Sequence, residues 1–201
     1  MSLPKDFLDK MQTLLKEEYE AFINSYEQEK SLGLRVNTLK TTLDQFETLN
    51  KFDLKSIPWV PEGYFYQQAD RPGKHPYHEA GVYYIQEPSA MSVGTFVEAV
   101  PGEKVLDLCA APGGKSTHVA SQLQQEGLLI TNEIYPQRAK ILSQNIERMG
   151  IKNAVVVNES PQKLAKHFPS YFDRIVVDAP CSGEGMFRKD EVAQEEWSLA
   201  N

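Results

Sequence analysis

The 201-residue chain has 41% hydrophobic and 24% charged residues, ordinary globular values that argue against disorder and allow one good-sized domain, or one domain with a small appendage. Its formal net charge of -7 argues against a strongly basic nucleic-acid surface. Up to Lys74 there are 10 basic against 12 acidic side chains, and from His75 onward 11 against 16, with no Lys/Arg cluster of the kind that phosphate neutralisation needs. The N-terminal MSLPKDFLDK has no apolar signal core and no 18-residue apolar stretch follows, which predicts a soluble, cytoplasmic protein without a membrane partner. The two cysteines, 72 positions apart, form neither a disulfide framework nor a Cys-x-x-Cys knuckle, so no metal is expected. Free thiols in a reducing compartment are the expectation, with one long-range disulfide as the alternative.

In chain order, apolar residues at Phe7, Leu8, Met11, Leu14, Leu15, Phe22, Ile23 and Tyr26 predict one amphipathic helix, with Pro4 in its first turn. LGLRVNTLK alternates Leu34, Val36 and Thr38 against Arg35 and Asn37 and predicts a strand. Thr42 and Gln45 suggest a capping box for a helix with Leu43, Phe46 and Leu49 on one side. Residues 56–78, rich in Pro, Gly and aromatics, predict irregular structure and a domain boundary, giving a module over 1–75 and a core over 76–201. Strands are then expected at VYYIQ, KVLDLCA, LLITNEI, AVVVN and FDRIVVD. Helices alternate with them, one starting near Ser89 and one bounded by Pro136 and Gly150. Continuous apolar strands in that alternation predict an α/β fold, a parallel Rossmann-like sheet covered by helices on both faces. The chain ends soon after the last of these strands, early for a doubly wound sheet, so a fragment of a longer protein is expected.

LDLCAAPGGKSTHVA joins a strand to a helix through Cys109, Ala110, Ala111, Pro112, Gly113, Gly114 and Lys115. Small residues there let backbone approach a ligand closely, and the helix N-terminus offers free N–H groups. Two ligand classes compete. Gly114, Lys115 and Ser116 match the end of a P-loop, and Asp178 after RIVV can stand for a magnesium ligand. Cys109 replaces the first glycine of that motif, however, and Pro112 removes an N–H from the phosphate cradle. S-adenosylmethionine has a ribose and no phosphate. Glu133 ends LLITNE 19 residues beyond Gly114, close to the ~20-residue offset of ribose-binding acids in dinucleotide folds. Asn158 to Ser160 are then expected near the adenine, with Lys115 and Asp107 pairing or meeting the methionine end.

DAPCSGEGMFRKD, from Asp178 to Asp190, places Cys181 where a strand runs out into a loop. Together, LDLCAAPGGKSTHVA, NEIYPQRAKIL and FDRIVVDAPCSGEGMFRKD closely resemble the RNA 5-methylcytosine methyltransferases of the Sun/nucleolar-protein type. Within these, the similarity is greatest to the bacterial branch acting on small-subunit ribosomal RNA. HEAGVYYIQEPSAM also looks like that family's stretch ahead of the cofactor loop, and GLRVNTLK resembles its RNA-facing N-terminal module. The similarity covers about residues 76–190.

The resemblance implies a Rossmann-like core using S-adenosylmethionine, with RNA, such as ribosomal RNA or a small subunit, as partner. It implies that one cysteine thiolate adds to carbon 6 of cytosine so that carbon 5 attacks the methyl sulfonium, after which a base removes the carbon 5 proton and the enzyme leaves. Attack then belongs to a Thr-Cys residue and release to the Pro-Cys residue, which Cys181 matches after Pro180; Asp178 would contact the cytosine edge and the methionine end. No Thr-Cys occurs in the 201 residues, so this chain alone is expected to bind cofactor without catalysis. Cys109 fits core or cofactor contact. Ser160 stands where relatives carry an acid near the adenine, a role Glu159 can fill. Arg188 and Lys189 are candidate RNA contacts, whereas the aromatics of YFYQ and VYYIQ are expected in the core. A degenerate P-loop protein and a non-catalytic RNA-binding module are the alternatives.

Overall fold

A computed structural model describes residues 3–188 and 191–198 of the chain. These fold as two compact units, Ser31–Asp178 and a second assembled from Met1–Lys30 and Ala179–Asn201.

The smaller unit holds helices α1 (Lys5–Leu15) and α2 (Tyr19–Ser25). The single helix expected there breaks at Lys16, whose φ of 49° leaves the right-handed helical region. The break falls at KEEYEA, where the apolar spacing lapses and no buried face holds the helix to one axis. Phe7 packs edge-on against Phe187 and Trp197 at ring distances of 5.0 and 5.6 Å, while Leu14 stays exposed. Lys10 pairs with Glu184 at 2.9 Å, and the Trp197 indole N–H donates to the same carboxylate. Arg188 donates to the Gln28 carbonyl; Lys189, the other candidate RNA contact, and Asp190 lie outside the described residues.

The larger unit begins with an antiparallel sheet in the order β2-β3-β1-β4, made of β1 (Gly33–Val36), β2 (Lys55–Ile57), β3 (Val60–Phe65) and β4 (Tyr83–Ile85). Two expectations change here. The supposedly irregular 56–78 stretch contains the β2–β3 hairpin, because Pro58 falls in its turn and Pro61 in a bulge where the ladder needs no N–H. VYYIQ pairs antiparallel with β1, Arg35 opposite Tyr84, instead of joining the parallel sheet; a short apolar run carries no signal for which sheet it enters. Helix α3 (Leu43–Leu49) starts with the expected capping box, the Thr42 hydroxyl accepting from Gln45 N–H at 3.2 Å and the Gln45 side chain accepting from Thr42 N–H at 3.3 Å. It sets Phe46 against Leu34, Val36, Tyr64 and Tyr83, while Leu49 is exposed. A short helix, α4 (Pro76–Glu79), precedes β4.

Helix α5 (Pro88–Val97), capped by the Glu87 carboxylate, leads into four parallel strands: β5 (Lys104–Asp107), β6 (Leu128–Asn132), β7 (Ala154–Val157) and β8 (Arg174–Val176). Their order, β7-β6-β5-β8, reverses at β5, and every carboxyl end lies on the same side. The connections are α6 (Gly114–Leu123), α7 (Pro136–Met149) and α8 (Pro161–His167); α9 (Glu191–Glu195) belongs to the smaller unit. Pro136 opens α7 and Gly150, at φ 73°, closes it as expected. Side chains of β5 alternate between two cores, Val105 facing Val119 and Leu142, and Leu106 facing Leu164. This is the expected Rossmann-like arrangement. Full cover does not extend to β8: it is an edge strand, and Ile175 and Val177 stand 58% and 56% exposed beside Phe96.

Candidate functional site

A crevice at the carboxyl ends of strands, where the strand order reverses, is where open α/β sheets take ligands. Asp107 ends β5, Glu133 follows β6, and Asp178 lies two residues beyond β8. Between them runs the loop Cys109–Gly113. Gly113 has a φ of 114°, which disfavours any residue with a Cβ. No side chain caps α6, so its first N–H groups are left for a ligand.

The loop is held from several sides. Ala110 N–H donates to the Asn132 carbonyl at 2.8 Å, and the Asn132 side chain donates to Leu108 O and accepts from Glu159 N–H. From α7, Arg138 donates to Ala111 O at 2.9 Å and Asn145 to Pro112 O at 2.8 Å. Asn132, Arg138 and Asn145 were not legible as site residues. Their one signal is spacing, since Arg138 and Asn145 share a face of α7 with the buried Leu142.

Glu133 is only 3% exposed. One carboxylate oxygen accepts from Tyr135 N–H at 3.0 Å and the other lies 3.4 Å from Arg138. That uses two of about four acceptor positions on the group. Asn158 donates to the carbonyls of Glu133 and Ile134, so it shapes this corner. Ser160 caps α8 by accepting from Lys163 N–H, and Glu159 pairs with Lys163 at 2.9 Å.

Lys115 pairs with Asp178, at 2.5 Å, and not with Asp107. Asp107 instead accepts from the Ser116 hydroxyl at 2.6 Å, and Ser116 also meets Thr131 at 2.7 Å. The second Asp107 oxygen is buried without a hydrogen-bond partner. Burial pushes this carboxyl up to about 6, the bond from Ser116 and the charge of Lys115 opposing the rise. The Cys109 thiol is also raised, first by burial and then by Asp107, Glu133 and Asp178, with Arg138 opposing. A raised thiol is a poor nucleophile. Cys181 lies in the smaller unit, exposed and unbridged, beside a pocket of about 400 Å³ lined by Ser182, Gly183, Ala193, Glu196 and Trp197. Among the described residues there is no helix long and apolar enough to cross a membrane and no group of three metal-ligating side chains.

Beneath the loop, β1 brings in the polar partners of its alternating pattern. Arg35 and Asn37 are both 0% exposed. Asn37 donates to Gly81 O and Met149 O, which leaves neither side chain free to meet RNA directly.

Residues 95–198 match the family model described as 16S rRNA methyltransferase RsmB/F, and residues 3–88 match the N-terminal domain of 16S rRNA methyltransferase RsmF. Ribosomal RNA small subunit methyltransferase F of Pectobacterium atrosepticum is 38% identical over 209 residues, covering 98% of this chain and 43% of its own length. The Vibrio vulnificus protein of the same name is 39% identical over 207 residues, covering 98% and 44%. The chain therefore spans less than half the length of these curated relatives. The crystal structure of a methyltransferase homolog protein from Pyrococcus horikoshii is 30% identical and aligns with a TM-score of 0.79, covering 93% of this chain and 62% of that one. With its second half matched to that family and its first half to a domain of the same enzymes, the chain belongs to the RsmB/F family of 16S rRNA methyltransferases.

Proposed function

We propose that the crevice binds S-adenosylmethionine and serves methylation of carbon 5 of a cytosine in small-subunit ribosomal RNA, in the cytoplasm. The observation that carries this reading is the gathering of Asp107, Glu133 and Asp178 at the carboxyl ends of β5, β6 and β8, around the Cys109–Gly113 loop, with Lys115 and Arg138 as nearby cations. Such a mouth suits a ligand carrying a sulfonium, an ammonium and a sugar diol better than a triphosphate. The cofactor supplies an electrophilic methyl group. Glu133, with acceptor positions to spare, is assigned to the ribose hydroxyls. Ala110, Ala111, Pro112, Gly113 and Gly114 offer close backbone approach, and Cys109 a contact. The α6 N-terminus takes the carboxylate, and Lys115 and Asp178 frame the methionine end. Asp107 is too deeply buried to be touched and acts through its field and through Ser116. Ser160, engaged in capping α8, is assigned only a backbone role near the adenine. RNA recognition is assigned to residues 1–75, although one compact unit, Ser31–Asp178, runs across that boundary.

Cys181 is assigned to product release and Asp178 to the cytosine edge. With no cysteine in a Thr-Cys context, the chain as it stands is expected to incorporate no label when incubated with 16S rRNA and radiolabelled S-adenosylmethionine. Incorporation that Cys181→Ser abolishes would overturn the assignment by making Cys181 the attacking residue.

A further inference from the structure

Arg35 is the largest fully buried side chain among the described residues. Its Nη2 donates to the Thr117 hydroxyl at 2.7 Å and to Gly114 O at 3.3 Å, and its Nε donates to Gln86 at 3.3 Å. Thr117 passes the contact on, donating to the same Gly114 carbonyl at 3.1 Å. The Gln86 amide stands 3.2 Å from where a Cβ on Gly114 would lie. Two of the three partners, Gly114 and Thr117, thus belong to the first turn of α6, and the third, Gln86, lies against it. Glu62 balances the charge nearby and pairs with His118 at 2.7 Å, on the next residue of the helix. Burial lowers Arg35 to about 10, with Glu62 and Tyr84 opposing, so the guanidinium remains charged at neutral pH.

Stability alone does not account for this cation. A buried guanidinium with Nη1 left unpartnered carries a desolvation cost that an apolar side chain of similar volume avoids. It also sits at the positive end of a helix, where a cation is unfavourable in the free protein and strengthens the field felt by an anion. A helix N-terminus without a capping side chain, reinforced by a fixed cation beneath it, is suited to a carboxylate.

We propose that Arg35 is a positioning residue for the ligand loop: from the antiparallel sheet it pins the first turn of α6 and reinforces its capture of the carboxylate at the amino-acid end of the cofactor. This rests on the reading of the crevice as an S-adenosylmethionine site. The guanidinium itself touches no ligand; it acts through Gly114, Thr117 and the field.

The test compares wild type, Arg35→Met, Arg35→Lys and Thr117→Val, titrated with S-adenosylhomocysteine and with methylthioadenosine, which lacks the amino-acid end. Thr117→Val removes only the hydroxyl that accepts from Arg35, so it keeps the test open should Arg35→Met fail to fold. S-adenosylhomocysteine is expected to bind Thr117→Val and Arg35→Met about tenfold more weakly, the scale of one charge-assisted hydrogen bond. Methylthioadenosine should change less than twofold, and Arg35→Lys, which keeps the charge without the fork, should fall between. Hydrogen exchange at the Gly114–Thr117 amides of the free protein should accelerate in the same variants. Equal losses for both ligands, or unchanged binding with only a lowered melting temperature, would overturn the proposal. Should wild type bind neither ligand, the cofactor reading fails, and the exchange measurement alone decides whether Arg35 pins the turn.

Discussion

Glu133→Ala is expected to weaken S-adenosylhomocysteine binding ten- to a hundredfold while leaving the protein folded. The carboxylate sits 3% exposed at the end of β6, held by Tyr135 N–H and Arg138. A ligand diol therefore meets an acceptor already fixed in place and already desolvated, so little ordering cost is added on binding. A hydrogen bond to a charged group contributes about 1.5–3 kcal/mol, which corresponds to the stated range. Glu133→Gln keeps the shape and one acceptor and should lose less. Circular dichroism establishes folding and calorimetry reads affinity. Glu133→Ala binding as tightly as wild type would remove the ribose assignment.

The second large effect is on stability and concerns Asp107, whose burial raises it from 3.8 to about 6. The native state then holds this proton more tightly than the unfolded chain does. The contribution to stability is thus fully present below about pH 4 and is lost as pH rises through about 6. The shift corresponds to roughly 3 kcal/mol across that window. Asp107→Asn removes the titration, so the stability of wild type relative to this variant should fall by that amount between pH 4 and 7. Carboxylates held down by partners, such as Glu103 by the bond from Arg174, run the opposite way and cancel in the comparison. Urea unfolding of both proteins at several pH values reads it directly; parallel pH profiles would contradict the burial account. The cost is placed where Asp107, Glu133 and Asp178 gather at the carboxyl ends of the strands, a region where stability is commonly given up for function.

Local geometry was legible in the sequence because each of its signals is local. A glycine at φ 114°, an acid at the end of a strand, a proline at a helix start and a capping box depend on a few neighbouring residues. What it did not carry depends on partners distant along the chain. Arg35 alternates with Leu34 and Val36 as a solvent-facing residue would, yet α6 covers that face of the sheet, and Gly114 and Thr117 lie 79 and 82 residues away. Asn37 likewise reaches Met149, 112 residues on. Tyr83 and Tyr84 are adjacent and enter two different cores, which one short apolar run has no means to announce. The pairing of Lys115 with Asp178 in place of Asp107 follows from β8 lying beside β5, a matter of strand order. The exposure of Ile175 in β8, and of Val177 just beyond it, goes with the strand's place at the sheet edge among the described residues.

The central claim is that the acidic crevice at the ends of β5, β6 and β8 holds S-adenosylmethionine and not a nucleoside triphosphate. The measurement that tests it most directly is calorimetric titration of the 201-residue chain with S-adenosylhomocysteine and, separately, with magnesium-ATP. Saturable one-to-one binding of S-adenosylhomocysteine, with no heat from magnesium-ATP, is the predicted result. Magnesium-ATP binding without S-adenosylhomocysteine binding would contradict it and make CAAPGGKS a phosphate-binding loop after all.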